Sequence, residues 1–480
     1  MLKEAAWNWI EEHRDELVEV SDDVWGFAEY GLLEEKSSKL IAETLKKHGF
    51  RVNLGVAGMP TAITAEWGKG KPVIGFMGEY DALPGISNKA VPRRDPLVPV
   101  GFGHGCGHNI HGATAMSAVL AVRYALEDTD QKATIRFYGT PAEENYQGKI
   151  FMVAAGLFDD ADACLSHHPG SFNVASLSSS TATIHAKFHF HGRTAHAAAN
   201  PEQGRSALDA VELMNVGVNY LREHIIDKAR IHYVIESGGG QPNVVPDYAN
   251  SWYYVRAPEI DQLESVYRRV EKIAEGAALM TETTLKIDMD RGSYNKIPSR
   301  TLSEVVTANM RLVGAPEYTQ EELGFAAEIA KSFPKENKVE ALKKSKMPGW
   351  DKYEDVDLVK DILDPWDDGE VSPGSTDVSH VSWKTPTMEF NTACNVLGAP
   401  GHSWQFVAAS GSSIGHKSLI FAAKTMAGAA LDLVTDPTLL EKAKDEHIHR
   451  LGKNIYVPDT ERRPPLELAR QTAEKLGRGT

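Results

Sequence analysis

Cysteine is scarce in this sequence: 480 residues hold three, Cys106, Cys164 and Cys394, widely spaced and odd in number. No disulfide framework is therefore implied, and a metal-binding or catalytic role for one of them is easier to defend. Basic charge is in deficit too. With 51 Lys and Arg against 66 Asp and Glu the net charge is -15, so the concentrated cationic surface that a phosphate backbone requires is missing and nucleic acid drops out as a partner. No apolar run is expected to reach membrane-spanning length, so no membrane is expected as a partner. Met1 to Val20 mixes charges with Trp7, Ile10 and Leu17 as an amphipathic helix does, unlike an export signal. The cytoplasm is the expected location. His-Glu-x-x-His, Gly-x-x-x-x-Gly-Lys-Ser/Thr, internal repeats and a low-complexity tail are all missing, which removes the corresponding zinc-protease and phosphate-loop classes. The length exceeds what one hydrophobic core usually fills, so two domains are expected.

What is present is concentrated first in Gly101 to His111, where three histidines, one cysteine and four glycines share eleven positions. Thiolate and imidazole suit a divalent transition metal, and the glycines allow the turns that converge such side chains. Cys106 and His108 alone are too few for a site, and no second pair at similar spacing makes a structural zinc site. Further ligands must come from elsewhere. Lys71 to Gly78 reads as a buried strand delivering Glu79 and Asp81; Ala133 to Tyr138 as one followed by Glu143 and Glu144; Ala161 to Leu165 as one followed by His167 and His168. Three strand ends thus offer ligands at the edge where open α/β sheets bind theirs. Asn109 is placed to cap a helix running to about Leu126, and His402 follows a strand near Met388 to Val396. On an extended chain the neighbours Glu143 and Glu144 would point in opposite directions, so one could bind metal while the other faces substrate as general base.

From Thr181 the pattern becomes strand, helix, strand, strand, helix, strand, ending near Met289: the order of a ferredoxin-like unit. His185, His189 and His191 fall on a polar strand face, whereas His196 lies beyond it among small residues and is free to approach a ligand. Arg256 ends a strand and reads equally as a surface residue or as a bidentate clamp on a carboxylate. Thr319 to Gly374 is charged and Pro-containing and reads as a surface excursion. Gly411-Ser412-Ser413-Ile414-Gly415 fits the serine-hydrolase pattern, but the downstream His447 and His449 sit in a charged tail, so Ser413 is a weak nucleophile candidate.

Several blocks together resemble the M20 metallopeptidase family, its amidohydrolase branch (subfamily D), and within that the group of aminobenzoyl-glutamate hydrolase subunits. They are Gly78-Glu79-Tyr80-Asp81-Ala82-Leu83-Pro84, Cys106-Gly107-His108, Pro141-Ala142-Glu143-Glu144, Gly204 to Ala210, Pro242-Asn243-Val244-Val245-Pro246, Lys272 to Thr284, Ser375-Thr376-Asp377-Val378 and His402-Ser403-Trp404-Gln405. The resemblance implies a mixed-sheet α/β/α catalytic domain of the zinc-exopeptidase type, formed by residues 1–180 and 297–480. An inserted ferredoxin-like α+β lid and dimerisation domain would occupy 181–296. Two divalent metal ions per subunit, Mn2+ or alternatively Zn2+, would be held by Cys106, His108, Glu144, His168 and His402. Glu143 would be the general base, with Asp81 orienting a ligand histidine. His196 would reach a neighbouring subunit's site to stabilise an oxyanion, and Asn243 and Arg256 would hold the substrate's carboxylate end.

The implied reaction is hydrolysis of an N-aroyl or N-acyl amino acid, p-aminobenzoyl-glutamate foremost. An N-acyl-aspartate conjugate, a dipeptide or deamination of an aryl amine fit the same chemistry, and a non-catalytic subunit is the remaining alternative. The implied assembly is a homodimer through the lid or a heteromer with a paralogous subunit. The wider branch usually carries Asp at the positions of Glu79 and Asn109.

Overall fold

Val73–Gly78 is buried at every position, which a strand achieves only when both faces of its sheet are covered. In the computed structural model of the chain, which describes residues 1–372 and 374–477, this strand lies inside an eight-stranded mixed sheet. Its parallel centre runs Thr134–Gly139, Val73–Gly78, Ala163–Gly170 and Thr387–Ala393. Ile63–Gly68 and Arg51–Leu54 extend it on one side by antiparallel pairing. Because the four central strands share a direction, the segments that follow them emerge at one edge. That edge carries the candidate site.

The core beside this sheet is built on two largely buried helices, His108–Leu126 and Ser413–Thr435. Gly112 brings the first close to the strand edge, since a Cβ there would stand 2.6 Å from the Glu79 carbonyl oxygen. Ser413–Thr435 is long and apolar enough to cross a membrane, contrary to expectation, but 83% of its apolar window is buried within the protein. A core helix satisfies the same length and composition. Ser413 is the exposed first residue of this helix. Gly415 is there for packing, its position leaving only 2.5 Å between a Cβ and the Ser410 carbonyl oxygen. The serine-hydrolase pattern is thus a helix start.

The chain divides into two units. The first comprises Met1–Ser178, Ile297–Glu370 and the residues from His380 on; the second comprises Ser179–Lys296 and Val371–Ser379. The excursion after Thr319 contains two helices, Gln320–Ala330 with a Thr319/Glu322 capping box and Lys335–Lys344. Leu342, Met347, Tyr353 and Val359 bury themselves with Leu397 in a small core of their own.

In the second unit, four antiparallel strands lie in the order Thr284–Arg291, Ala182–His191, Tyr248–Ala257, Arg230–Ser237. The helices Ala207–Leu221 and Ile260–Thr281 pack with this sheet. Ile184, Ala186, Phe188 and Phe190 are buried while the residues between them are not, the period-two alternation of a sheet with one covered face. Ser206 caps the first helix by accepting from Asp209 N.

Candidate functional site

Asp81 is the joint of the site in the first unit. It follows Val73–Gly78 and is buried; its Oδ1 lies 2.8 Å from His108 Nδ1 and its Oδ2 accepts from Glu144 N at 3.0 Å. One carboxylate therefore orients a histidine and fastens the turn that bears Glu143 and Glu144. With Nδ1 on the Asp81 carboxylate, His108 directs Nε2 into the site. Burial works against the charged ring, but Asp81 and Glu79 raise the imidazole well above its ordinary range, so it reaches the lone-pair tautomer a metal ligand needs by giving up its Nε2 proton. His168 is set the same way: Nδ1 faces the Pro169 carbonyl oxygen at 2.8 Å, and Nε2 points to Cys106 Sγ at 3.3 Å.

Three triplets have donor atoms within 4.8 Å of one another: Cys106, His108 and His168; Cys106, Glu144 and His402; His108, Glu143 and Glu144. His402 Nε2 stands 3.4 Å from Glu144 Oε2, and His108 Nε2 4.0 Å from Glu144 Oε1. Among the described residues, His108 Nε2, Glu144 Oε1 and Glu79 Oε2 are buried without a well-formed hydrogen bond, His108 Nε2 and Glu79 Oε2 standing 3.1 Å apart. Buried polar atoms that converge without well-formed hydrogen bonds are costly in an interior unless a cation takes them. The donor set therefore fits metal, and thiolate with imidazole and carboxylate suits zinc or manganese.

Burial raises the Glu144 carboxyl to about 7, with His108 opposing it. Burial first, then Glu144, also pushes the Cys106 thiol up. Burial lowers His402. Glu144 and Cys106 must therefore shed protons to ligate, so metal affinity should rise with pH through about 7, by about tenfold per unit for each proton displaced. Titrating metal-free protein with Mn2+ in weak buffer should release protons at pH 6.5; a proton-neutral titration would contradict these shifts.

Several sequence readings need correction. Glu143 and Glu144 are not on extended chain: Ala142 takes φ 61° and residues 143–146 form a turn closed by Tyr146 N donating to Ala142 O at 3.1 Å. Both carboxylates consequently reach the neighbourhood of His108 instead of diverging. The Ala163–Gly170 strand continues through both histidines, so alternation sends His167 to Thr392 Oγ1 at 2.7 Å and His168 to Cys106. Asn109 caps nothing: the helix begins at His108 after Gly107, and Asn109 Nδ2 donates to Ser21 Oγ and the Ser410 carbonyl oxygen. An Asp could not donate to that carbonyl.

Lys149 and Glu34 carry no signal in the sequence pattern. Lys149 is wholly buried with Nζ 2.5 Å from Glu79 Oε1. Burial works against the Glu79 carboxylate, but His111, Lys149 and His108 together hold it below the usual range. His111 Nδ1 accepts from Glu79 N, which fixes that histidine as a support beneath the candidate ligands.

In the second unit, His196 is exposed, its Nδ1 accepting from Ala198 N and Ala199 N. Ala197 N donates to Asn243 O, so His196 and Asn243 sit on adjacent segments. Arg256 lies far from them. Tyr248 pairs with His191 at one end of its strand and Arg256 with Thr183 at the other, a separation of roughly 26 Å at the usual strand rise.

Residues 75–431 match peptidase family M20/M25/M40. The chain is 41% identical to one of the p-aminobenzoyl-glutamate hydrolase subunits of Escherichia coli strain K12 over 451 residues, covering 91% of this chain and 93% of that one. It belongs to the M20 family. As a member it is a hydrolase. It is also 28% identical to the Xaa-Arg dipeptidase of Mus musculus, covering 93% and 92% of the two chains. The crystal structure of the aminobenzoyl-glutamate utilization protein of Klebsiella pneumoniae shares the fold, with a TM-score of 0.59 and 19% identity over 88% of this chain and 97% of that one.

Proposed function

We propose that this M20 hydrolase cleaves the amide bond of an N-aroyl amino acid, with p-aminobenzoyl-glutamate giving p-aminobenzoate and glutamate. The observation that carries the hydrolytic chemistry is the convergence of Cys106, His108, Glu144, His168 and His402 donor atoms beside Glu143. The substrate assignment is supported by the 41% identity to the E. coli hydrolase subunit.

Cys106, His108, Glu144, His168 and His402 would hold two divalent ions, Mn2+ or else Zn2+, which when bound supply Lewis acidity to water and to the amide carbonyl. Glu143 takes the proton of the attacking water. As the C–N bond breaks, Glu143 returns that proton to the leaving nitrogen, so the carboxylate is regenerated. Asp81 keeps His108 and the Glu144 backbone in register throughout.

Asn243 and Arg256 would grip substrate carboxylate, and His196 would stabilise the oxyanion. Since Arg256 stands at the far end of its strand from His196 and Asn243, one small amide cannot meet all three in one copy. A homodimer through the inserted lid resolves this by lending His196 and Asn243 to the neighbour. A heteromer with a paralogous subunit would serve equally, and the existence of two differently named hydrolase subunits in E. coli supports it. The cytoplasm is the proposed location.

The test is chromatographic: Mn2+-loaded protein should release p-aminobenzoate and glutamate from p-aminobenzoyl-glutamate, and chelation should stop it reversibly. An N-acyl-aspartate, a dipeptide and an aryl amine belong in the same panel. Turnover of one of these with none of the aroyl-glutamate would overturn the substrate assignment.

A further inference from the structure

We propose that Glu34 is a positioning residue that holds the Glu143–Glu144 turn in its reactive conformation. This rests on the hydrolytic reading above and adds a residue that takes no part in the chemistry itself.

The turn needs holding. Ala142, immediately before Glu143, has φ 61°, a left-handed conformation that a residue with a Cβ keeps only when its surroundings impose it. Downstream, the turn is fastened by Glu144 N donating to Asp81 Oδ2 at 3.0 Å. Upstream, it is fastened by Ala142 N donating to Glu34 Oε1 at 2.8 Å. Glu143 lies between these two bonds, so its carboxylate direction is set by both.

Glu34 is itself fixed. It has no solvent exposure, and Thr61 Oγ1 donates to its Oε2 at 2.8 Å. Burial and the nearby Asp81 raise its carboxyl to about 8, so at neutral pH it is largely uncharged and does not repel Asp81. The loop around it is shaped for the task. A Cβ on Gly31 would stand 2.9 Å from Ala142 Cα, so only glycine lets the loop approach the turn this closely. Glu29 O accepts from Ala82 N at 2.8 Å, which ties the same loop to the residue after Asp81. Residues 29–34 thus grip the two segments that carry Asp81 and Glu143. An apolar side chain at 34 would fill the space yet leave Ala142 N–H unpaired in the interior.

The experiment compares full-length Mn2+-loaded Glu34→Leu and Glu34→Gln with wild type. In Glu34→Leu, kcat should fall about 100-fold, the scale of a displaced reacting group, while KM and metal content change by less than about twofold. Glu34→Gln should stay within about threefold, because its amide oxygen still accepts from Ala142 N. Independently of any substrate, hydrogen exchange of peptides spanning 140–147 should quicken about tenfold in Glu34→Leu alone. Unchanged exchange in Glu34→Leu, a Gln variant as impaired as Leu, or metal lost along with kcat would each overturn the proposal. If wild type turned over no amide, the hydrolytic reading would fail, and the exchange measurement alone would still decide whether Glu34 holds the turn.

Discussion

Glu143→Ala should lower kcat by about a thousandfold, within the range for loss of a positioned general base, while Mn2+ content and KM stay near wild type. The geometry permits another role, since Glu143 shares a triplet of potential donors with His108 and Glu144. Metal content separates the two. Loss of an ion in the variant would make Glu143 a ligand and leave the base unassigned; full metal with activity retained would remove it from the mechanism. The same variant tests the assembly. His196→Ala should also be inactive, but co-expressed with Glu143→Ala it should give mixed dimers in which one site has both its own Glu143 and a neighbour's His196. Statistical pairing then restores roughly a quarter of wild-type activity, as expected when a symmetric dimer shares its sites. No recovery on mixing would confine His196 to its own chain.

How much of this is legible in the sequence depends on where each signal resides. Cys106 and His108 announce themselves by ligand density, and Glu79, Asp81, Glu143 and Glu144 by following apolar runs, because strand burial is a local pattern. The shape of the Glu143 turn is not legible. Ala142 carries no glycine or asparagine signal for its left-handed backbone, and what imposes it is Glu34, 108 positions away. His167 and His168 can be sorted only by extending the strand two residues further, since alternation then gives each its face.

Asn109 reads as a cap because its actual partners, Ser21 and Ser410, are remote. Lys149 and Glu34 stay hidden for a related reason: a lone charged residue reads as solvated, and only tertiary contacts reveal that it is buried. The Val371–Ser379 contribution to the second unit likewise rests on strand pairing between Val371–Ser372 and Ser179–Ser180, which no single segment encodes.

Lys149→Met should be the most destabilising of the substitutions considered, by about 3–5 kcal/mol, the usual cost of removing one partner from a buried ion pair. Lys149 lies in the Gly148–Ala154 helix with no exposure, 2.5 Å from Glu79 Oε1, while Glu79 Oε2 already lacks a well-formed hydrogen bond. Removing the ammonium strands a carboxylate in the interior; removing both charges does not. The Glu79→Gln/Lys149→Met double variant should therefore recover most of the lost stability in urea unfolding of metal-free protein. Metal should rescue the single variant in part, because His108 Nε2, a proposed ligand atom, is 3.1 Å from Glu79 Oε2. A cation on that histidine offsets some of the charge that Lys149 no longer balances. The pH dependence has a definite sign. Without Lys149 the folded-state pKa of Glu79 rises, so the penalty is full at neutral pH and shrinks as falling pH protonates the carboxyl. A single variant as stable as wild type at pH 7, or a double variant no better than the single, would show that Lys149 is not what sustains the Glu79 charge behind the site.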